Sequence, residues 1–312
     1  MGALYGEPMV APKAAPVRLD GRVAVVTGSG RGLGREHALL IAAHGARVVV
    51  NDVHPDHARA TADDIVRAGG EAVADTNTVA TPGGAADLVA HAVDRFGGLH
   101  LLVNNAGRGG PAGLFTDTPL DLVDTIVSTH LLGTYYVCHA AWPHLTRQGY
   151  GRIVNTASNA AIGNSGMAAY GMAKAGVLGL TRSLAVEGAP HGVRVNAVLP
   201  IGYTRSAALN PNEDTRRWME ENFPAALCSP AVVALLAEDV PCSGDFFATG
   251  AGRTALLGTV TTPGWNGGPS AGVDDLRANW DRVTDPAGLA WMRHSRDDIG
   301  FYTGEAAFNP AT

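Results

Sequence analysis

Lysine is almost absent from this chain, which contains two lysines and 21 arginines. One of the two, Lys13, lies in a Pro/Ala-rich stretch near the N-terminus, so the rest of the chain keeps only Lys174. Arginine presents a bulky planar fork and lysine a compact point charge on a flexible stem, so the two are not interchangeable. In a chain that otherwise uses arginine for its cations, a single lysine indicates a confined site that needs the smaller cation.

Cysteine, long apolar runs and excess positive charge are also scarce. Cys138, Cys228 and Cys242 show no C-x-x-C spacing and cannot all pair, which favours reduced thiols and a cytosolic protein. No apolar stretch approaches the roughly 18 residues of a membrane span, and residues 1–17 lack the charged start and apolar run of a signal peptide. The formal net charge of −6 argues against a nucleic acid as the main partner.

Short apolar runs alternate with helical segments from about residue 18 onward. The runs lie at residues 23–26, 47–51, 72–74, 99–103, 153–154, 193–198 and 246–247. Continuous apolar strands separated by helices predict a parallel sheet that is covered on both faces. We therefore predict an α/β protein with a single Rossmann-fold, doubly wound, seven-stranded parallel sheet. The predicted organisation is a flexible tail over 1–17, this domain over 18–260, and a C-terminal extension packed on it over 261–312.

A glycine-rich loop, TGSGRGLG, follows the first predicted strand at residues 27–34. Between a strand and a helix, such a loop lets backbone N–H groups and a helix N-terminus approach a pyrophosphate. The spacing is Gly-x-x-x-Gly-x-Gly rather than G-x-G-x-x-G, so the flanking strand and helix are what support a nucleotide site. The candidate contacts in this loop are Gly28, Arg31, Gly32, Leu33 and Gly34.

Asp52 ends the second predicted strand, 24 residues after Gly28. A carboxylate at this place can hydrogen-bond the ribose hydroxyls of NAD and repel the 2′-phosphate of NADP. Arg31 has the opposite tendency, because a guanidinium could bind a 2′-phosphate, and Asp52 could instead be a loop residue before Pro55. Repulsion by a carboxylate in contact should outweigh attraction by a flexible arginine, so NAD is the predicted cofactor and NADP the less favoured one.

Lys174 lies four residues after Tyr170, in a segment that is predicted to be helical. Side chains four residues apart share one face of a helix, about 5–6 Å apart at Cβ. An ammonium beside a phenol favours the phenolate and lowers its pKa from about 10, which would make a proton-transfer catalyst. A pair on a solvated helix surface is the alternative.

Taken together, these motifs resemble those of the short-chain dehydrogenase/reductase family. The glycine-rich loop, NNAG at 104–107, Ser158 and YGMAK at 170–174 match the family's motifs in order, and the resemblance covers about residue 18 to the end. It implies that Tyr170 is the catalytic acid/base, that Lys174 is its partner and ribose anchor, and that Ser158 donates to the substrate oxygen. The further cofactor contacts that it implies are Asn77, Thr78, Asn105, Gly107, Pro200 and Thr204.

His130 stands where the family usually has a fourth catalytic residue, an asparagine. Imidazole can donate, accept and titrate near neutrality, so His130 is predicted to relay protons between Lys174 and solvent. A buried histidine bonded to backbone groups is the alternative. His130 with the following Leu-x-Gly is similar to one branch, the (3R)-hydroxyacyl-CoA dehydrogenase module of peroxisomal multifunctional enzyme type 2. The other stretches similar to that branch lie at 50–52, 140–142, 184–188 and 278–280.

The resemblance implies an NAD-dependent oxidoreductase that interconverts a secondary alcohol and a ketone. A 3-hydroxyacyl-CoA is the favoured substrate, and a hydroxysteroid or another bulky apolar alcohol is the alternative. A homodimer or homotetramer built on the long helices is also implied. A non-catalytic nucleotide sensor on the same fold is disfavoured because Ser158 and Tyr170 are both present.

Two further features of the sequence carry weaker signals. His54 and His57 lie at a predicted surface turn with no other ligands spaced for zinc, so no metal is predicted. Trp265, Trp280 and Trp291 in the extension could line an apolar substrate pocket, or they could only anchor the extension by packing.

Overall fold

The computed structural model contains a central sheet of eight strands, in the order β3-β2-β1-β4-β5-β6-β7-β8. The structure describes residues 16–109, 113–208, 212–293, 297 and 302; the rest of the predicted tail, with Lys13, lies outside them. The strands of the sheet are β1 Val23–Thr27, β2 Arg47–Asn51, β3 Glu71–Asp75, β4 Leu101–Asn104, β5 Gly151–Thr156, β6 Val193–Pro200, β7 Phe246–Gly250 and β8 Arg253–Leu257.

Helices cover both faces of this sheet. The helices are α1 Gly32–Ala43, α2 Pro55–Arg67, α3 Pro82–Phe96, α4 Leu120–Val127, α5 Gly133–Arg147, α6 Ala168–Gly188, α7 Arg205–Ala208, α8 Glu213–Asn222, α9 Ser229–Leu236, α10 Val273–Ala278 and α11 Trp280–Val283. Successive β1 residues alternate between two cores: Ala24 and Val26 pack with α1, α2 and α9, whereas Val23 and Val25 pack with α3, α5 and α6. Among the described helices, none combines the length and the apolar character that crossing a bilayer requires.

The predicted fold class is confirmed, and the structure adds one strand. The seven predicted strands are present, and β1 to β7 pair in parallel. The eighth strand, β8, pairs antiparallel with β7 through a two-residue turn at Ala251 and Gly252. Both residues have positive φ, 50° and 76°, as the tight turn of a right-twisted hairpin requires. The prediction missed this strand because Ala-Gly is a weaker hairpin signal than Asn-Gly.

The chain after β8 forms a small two-stranded sheet of its own, β9 Val260–Thr261 with β10 Ala290–Trp291. The Trp291 ring lies so close to Gly258 that a Cβ built there would be 1.7 Å from Cζ3. The guanidinium of Arg182 on α6 donates to Oγ1 of Thr259 at 3.2 Å, which ties this segment to the main domain. More than half of the surface of Trp280 and of Trp291 is exposed. The contact of Trp291 with Gly258 supports the alternative in which the tryptophans anchor the extension, and no contact among the described residues supports a substrate pocket lined by them.

Several parallel strands end on polar residues along one edge of the sheet. Thr27, Asn51, Asn104 and Thr156 are the last residues of β1, β2, β4 and β5, and all four are buried. Ligands of doubly wound sheets bind outside the carboxyl ends of the strands, where the strand order reverses. Here the order reverses between β1 and β4, so the candidate site is expected at that edge.

Replacement of Ala251 tests the turn between β7 and β8. Alanine in the left-handed region is strained, whereas asparagine adopts that region readily. We expect Ala251→Asn to raise the free energy of unfolding by about 0.5–1 kcal/mol and Ala251→Val to lower it. Denaturant unfolding of the three proteins measures both changes, and a stabilising valine would contradict the turn.

Candidate active site

The glycine-rich segment that joins β1 to α1 is packed too closely for side chains at three of its glycines, Gly28, Gly30 and Gly34. A Cβ built on Gly28, whose φ is 61°, would lie 2.7 Å from the Cα of Ala106. One built on Gly34 would lie 2.3 Å from the Gly28 carbonyl oxygen and 2.4 Å from Nδ2 of Asn105. Arg31, just before α1, makes no side-chain cap on the first turn of the helix. The loop therefore offers backbone N–H groups at a helix N-terminus, which suits a pyrophosphate.

Asn105 braces this loop from β4. Its Nδ2 donates to the carbonyl oxygens of Thr27 and Gly28, at 3.1 and 3.0 Å. The Thr27 hydroxyl accepts from the backbone N–H groups of Asn105 and Ala106, at 3.0 and 2.9 Å. These bonds join the ends of β1 and β4 at the switch in strand order. Asn105 is thus placed beside the predicted cleft, with its amide used to fix the loop.

Asp52 lies directly against the glycine-rich loop. A Cβ built on Gly30 would lie 2.8 Å from Oδ2 of Asp52 and 2.6 Å from the Cβ of His57. Oδ1 of Asp52 accepts from the backbone N–H of His54 at 3.0 Å, which orients the carboxylate. This carboxylate at the end of β2 is placed as a ribose-binding acid requires. Arg31, the residue that could favour a 2′-phosphate, is half-buried in the same loop.

Asp75 organises the predicted adenine side of the cleft. Its carboxylate accepts from Nδ2 of Asn51 at 2.8 Å, and from the backbone N–H and Nδ2 of Asn77 at 3.0 and 2.9 Å. Nδ1 of His91 lies 2.9 Å from the same carboxylate. Asn77 is therefore held by Asp75, and Thr78 follows it. The sequence analysis missed Asp75, although an aspartate at the carboxyl end of a strand is a readable signal.

The segment after β6 approaches the loop from the other side. The Thr204 methyl group lies 4.0 Å from a Cβ built on Gly32. A Cβ built on Gly202 would lie 3.1 Å from Cδ2 of Leu33. Pro200, the last residue of β6, is half-buried. Pro200 and Thr204 thus lie at the two ends of a segment that faces the glycine-rich loop, and their contacts with the cofactor stay a prediction.

Lys174 is buried on α6, with only 3% of its surface exposed. Its Nζ donates to the carbonyl oxygen of Thr156 at the end of β5, and lies 5.7 Å from the centre of the Tyr170 ring. No carboxylate in the described part of the chain is within ion-pair distance of it. Burial lowers the pKa of Lys174 to about 7. The predicted pairing of Tyr170 and Lys174 on one helix face is present, and it is not a solvated surface pair.

The pKa of the Tyr170 phenol is shifted in the direction opposite to the one expected from the sequence. Burial raises the pKa of Tyr170 above its usual value, and a hydrogen bond with Ser158 acts in the opposite direction. The predicted lowering of the Tyr170 pKa by Lys174 is therefore not what the structure shows, because removal of the phenol from water outweighs the hydrogen bond with Ser158. Oγ of Ser158 accepts from the backbone N–H of Ala160 at 3.2 Å. The Ser158 O–H remains able to donate towards an oxygen beside Tyr170.

His130 lies in a π-helical turn, Ser128–Leu132, between α4 and α5. Its ring is 4% exposed and packs edge-on against the Tyr170 ring, with ring centres 5.1 Å apart and planes at 88°. Burial, assisted by the charge of Lys174, lowers the pKa of His130 to about 3. The expectation that His130 titrates near neutrality is therefore wrong, because a charged imidazole would lose its water without gaining an acid partner.

A polar network under the site was missed by the sequence analysis. Nδ2 of Asn104 donates to Oδ1 of Asn155 at 2.9 Å, and Nδ2 of Asn155 donates to the hydroxyl of Thr181 at 3.0 Å. These buried side chains link β4, β5 and α6. Asparagines within otherwise apolar strands were the available signal. Within the described ranges, no group of three or more His, Cys, Asp or Glu residues is arranged to hold a metal ion.

Comparison with known proteins identifies the family. The family profile described as short chain dehydrogenase matches residues 22–217. The chain belongs to the short-chain dehydrogenase family. A Mycobacterium tuberculosis protein that carries the name short-chain type dehydrogenase/reductase is 37% identical over 278 residues, which cover 86% of this short-chain dehydrogenase and 95% of that protein.

Three further comparisons concern two named enzymes. Peroxisomal multifunctional enzyme type 2 of Drosophila melanogaster is 36% identical over 284 residues, covering 86% of this chain and 46% of that protein. The solved full-length structure of that enzyme gives a TM-score of 0.78 at 33% identity, covering 92% of this chain and 49% of the other. This short-chain dehydrogenase thus spans about half the length of the Drosophila enzyme. A 7α-hydroxysteroid dehydrogenase solved with NADH and 7-oxo glycochenodeoxycholic acid gives a TM-score of 0.70 at 27% identity, covering 77% and 96%.

These matches confirm the predicted family and the resemblance to the type 2 multifunctional enzyme. They support an oxidoreductase that acts on alcohol or keto groups and a fold that binds nucleotides. The choice of NAD or NADP, the substrate and the roles of individual site residues remain predictions.

The pKa of Lys174 predicts a specific pH dependence of stability. The pKa of Lys174 is about 7 in the folded protein, and its ordinary value, which applies to the unfolded chain, is 10.5. Between these two pH values the unfolded chain binds more protons than the folded protein, so the free energy of unfolding rises with pH. We expect Lys174→Met to be more stable than the wild type below about pH 7, with the gap closing by about 1.4 kcal/mol per pH unit towards pH 10. Urea unfolding across this range measures the gap. A gap that stays constant would mean that Lys174 keeps an ordinary pKa.

Proposed function

We propose that this short-chain dehydrogenase is an NAD-dependent oxidoreductase that interconverts a 3-hydroxyacyl-CoA and the corresponding ketone. The observation that carries this proposal is the cluster formed by a buried Lys174, the Tyr170 phenol and the Ser158 hydroxyl. The cluster lies by the carboxyl end of β5. It is connected to the glycine-rich loop through the segment after β4, where Gly107 lies against the His130 ring that contacts Tyr170 and Ala106 packs against Gly28.

In the proposed reaction, a bound nicotinamide supplies the acceptor or donor of the hydride. Tyr170 takes the substrate hydroxyl proton during oxidation as the phenolate, and it donates a proton to the substrate oxygen during reduction as the phenol. Ser158 donates its O–H to the substrate oxygen as negative charge develops there. In its protonated form, Lys174 places a cation near the phenolate of Tyr170, and because the lysine is buried water screens this interaction little. Among the described residues, its three N–H donors have one acceptor, the Thr156 carbonyl oxygen, which leaves donors for ribose hydroxyls.

An apolar rim on two joined segments, one of which starts at Ser158, supports a bulky apolar substrate. Leu114 and Phe115 lie between β4 and α4, and Leu120 is the first residue of α4; all three are strongly exposed, Phe115 by 82%. Ile162, also exposed, lies on the turn that precedes α6. The two segments are joined by the Gly113 N–H, which donates to the Gly166 carbonyl oxygen at 3.1 Å. An acyl chain is one group that such a rim could cover.

A hydroxysteroid or another bulky apolar alcohol is the alternative substrate. The same rim would also suit it, and one structural relative is a 7α-hydroxysteroid dehydrogenase. The acyl-CoA assignment is preferred because of the resemblance to the type 2 multifunctional enzyme. The location predicted from the cysteines is cytosolic, whereas one relative is named as a peroxisomal enzyme.

Self-association through α5 and α6 is part of the proposal. A groove between these helices is lined by Tyr135, His139, Trp142, Leu180 and Leu184. Its aromatic and aliphatic side chains, with half of Tyr135 exposed, support a homodimer or homotetramer built on the long helices.

A substrate panel tests the proposed function. Purified protein with NAD is offered (3R)- and (3S)-hydroxyacyl-CoA thioesters and 7α-hydroxysteroids, and formation of reduced nicotinamide is followed. We expect turnover of one hydroxyacyl-CoA stereoisomer. Tyr170→Phe should lower it at least 100-fold, because general acid–base catalysis contributes about that much or more, while NAD binding persists. Steroid turnover alone would favour the alternative, and a mutant that keeps a tenth of the rate would remove Tyr170 from its role.

Asp52 is expected to determine the cofactor. The carboxylate repels a 2′-phosphate, and its removal leaves Arg31 in the same loop, so Asp52→Ala should weaken NAD and improve NADP. The values of kcat/KM for both cofactors, compared with those of the Asp56→Ala control in the exposed first turn of α2, measure this change. A wild-type preference for NADP would overturn the assignment.

A further inference from the structure

The His130 ring contacts the backbone that follows β4. Its Nε2 lies 2.9 Å from the carbonyl oxygen of Arg108 and 3.0 Å from the Arg108 N–H nitrogen. A neutral ring can donate to the first or accept from the second, depending on its tautomer. In either state, one imidazole nitrogen fixes the Arg108 backbone. The Arg108 side of this contact is exposed at the edge of the cleft, whereas the imidazole is buried.

The same ring occupies the space beside Gly107. A Cβ built on Gly107 would lie 2.5 Å from Cε1 of His130 and 3.0 Å from Nδ1. The ring is rigid and buried, so it cannot give way as a flexible side chain would. Gly107 and His130 therefore fit each other, and any other residue at 107 would displace the ring or the backbone.

His130 also contacts the proposed acid/base directly. The two rings meet edge-to-face, a favoured geometry of aromatic pairs. One imidazole thus contacts both the backbone at 107–108, on the β4 side of the cofactor cleft, and the Tyr170 ring on α6.

The surroundings of His130 do not favour proton relay. Among the described residues, Nδ1 is buried without a hydrogen-bond partner, and Nε2 is engaged by a backbone group. The low pKa of the ring keeps it neutral across the pH range in which dehydrogenases are assayed. A relay would need a nitrogen that exchanges a proton with solvent, and neither ring nitrogen is exposed.

We propose that His130 is a positioning residue, which fixes the Gly107–Arg108 backbone against the cofactor cleft and orients the Tyr170 ring. This inference rests on the proposed function for the identity of the ligand. Loss of His130 should mainly weaken cofactor binding, and it should leave the shape of the pH–rate profile unchanged.

Two replacements of His130 separate positioning from relay. The amide of glutamine reaches about as far as Nε2 of histidine, and the amide of asparagine about as far as Nδ1. Positioning predicts that His130→Gln keeps the dissociation constant of NAD within about threefold of the wild type, and that His130→Asn raises it about tenfold, as loss of one hydrogen bond would. Relay predicts that Asn, the family's usual residue, performs at least as well as Gln. His191→Asn, on an exposed turn, is the matched control.

The kinetic constants give a second criterion. Positioning predicts for His130→Asn a raised KM for NAD with a smaller fall in kcat, and no shift of the pH–rate profile between pH 5 and 9. A fall in kcat at constant KM, with a changed profile, would overturn the proposal in favour of a relay.

A third measurement needs no turnover and so is independent of the proposed function. Nitrogen NMR of labelled histidine should show His130 neutral from pH 5 to 9, and a titration in that range would overturn the proposal. Gly107→Ala should destabilise the wild type more than it destabilises the His130→Ala variant. In that variant the alanine at 130 leaves space for the new Cβ at 107, which in the wild type would clash with the His130 ring. Equal effects in both backgrounds would overturn it too. If wild-type protein bound neither NAD nor NADP, the proposed function would fail while this coupling would still be measurable.

Discussion

The structure of the site depends on the burial of one ammonium group. Lys174 is enclosed under the carboxyl edge of the sheet with a carbonyl oxygen, that of Thr156, as its acceptor in the described structure. A buried cation without an acid partner is costly, and the cost appears as the lowered pKa. Such a group is retained where its charge is needed. Because Tyr170 is one helical turn away and half-buried, the charge that Lys174 carries acts on the phenol through little water.

Other elements are arranged around this constraint. The end of β5 supplies the carbonyl, and the Asn155 side chain fixes β5 to Thr181 of α6, two turns beyond Lys174. On the opposite side, Asn105 and Thr27 close the joint between β4 and β1 that bears the glycine-rich loop. The same sheet edge thereby carries the loop that we propose binds a pyrophosphate and the cluster that we propose transfers the substrate proton. An enzyme with this arrangement could bind a dinucleotide cofactor and a substrate alcohol next to each other.

Much of the fold and the outline of the site could be predicted from the sequence. Continuous apolar runs fixed seven strands, and the glycines at 28 and 34 are required by contacts under 3 Å that only a bare backbone tolerates. The spacing of Tyr170 and Lys174 gave their shared helix face. Environment could not be predicted: the upward shift of the Tyr170 pKa, the low pKa of His130 and the role of Asp75 depend on burial and partners distant in sequence. The strand β8 was missed because its turn uses alanine in a conformation that alanine seldom adopts.

Transfer of deuterium tests the central claim most directly. The wild-type protein is incubated with NAD and a (3R)-hydroxyacyl-CoA that carries deuterium on the carbon bearing the hydroxyl. The account predicts that the deuterium appears on the reduced nicotinamide, on one face of the ring, in a stoichiometry of one per ketone formed. Deuterium that appears in water, or ketone formed without labelled cofactor, would contradict direct hydride transfer at this site and with it the assignment of the cluster around Lys174.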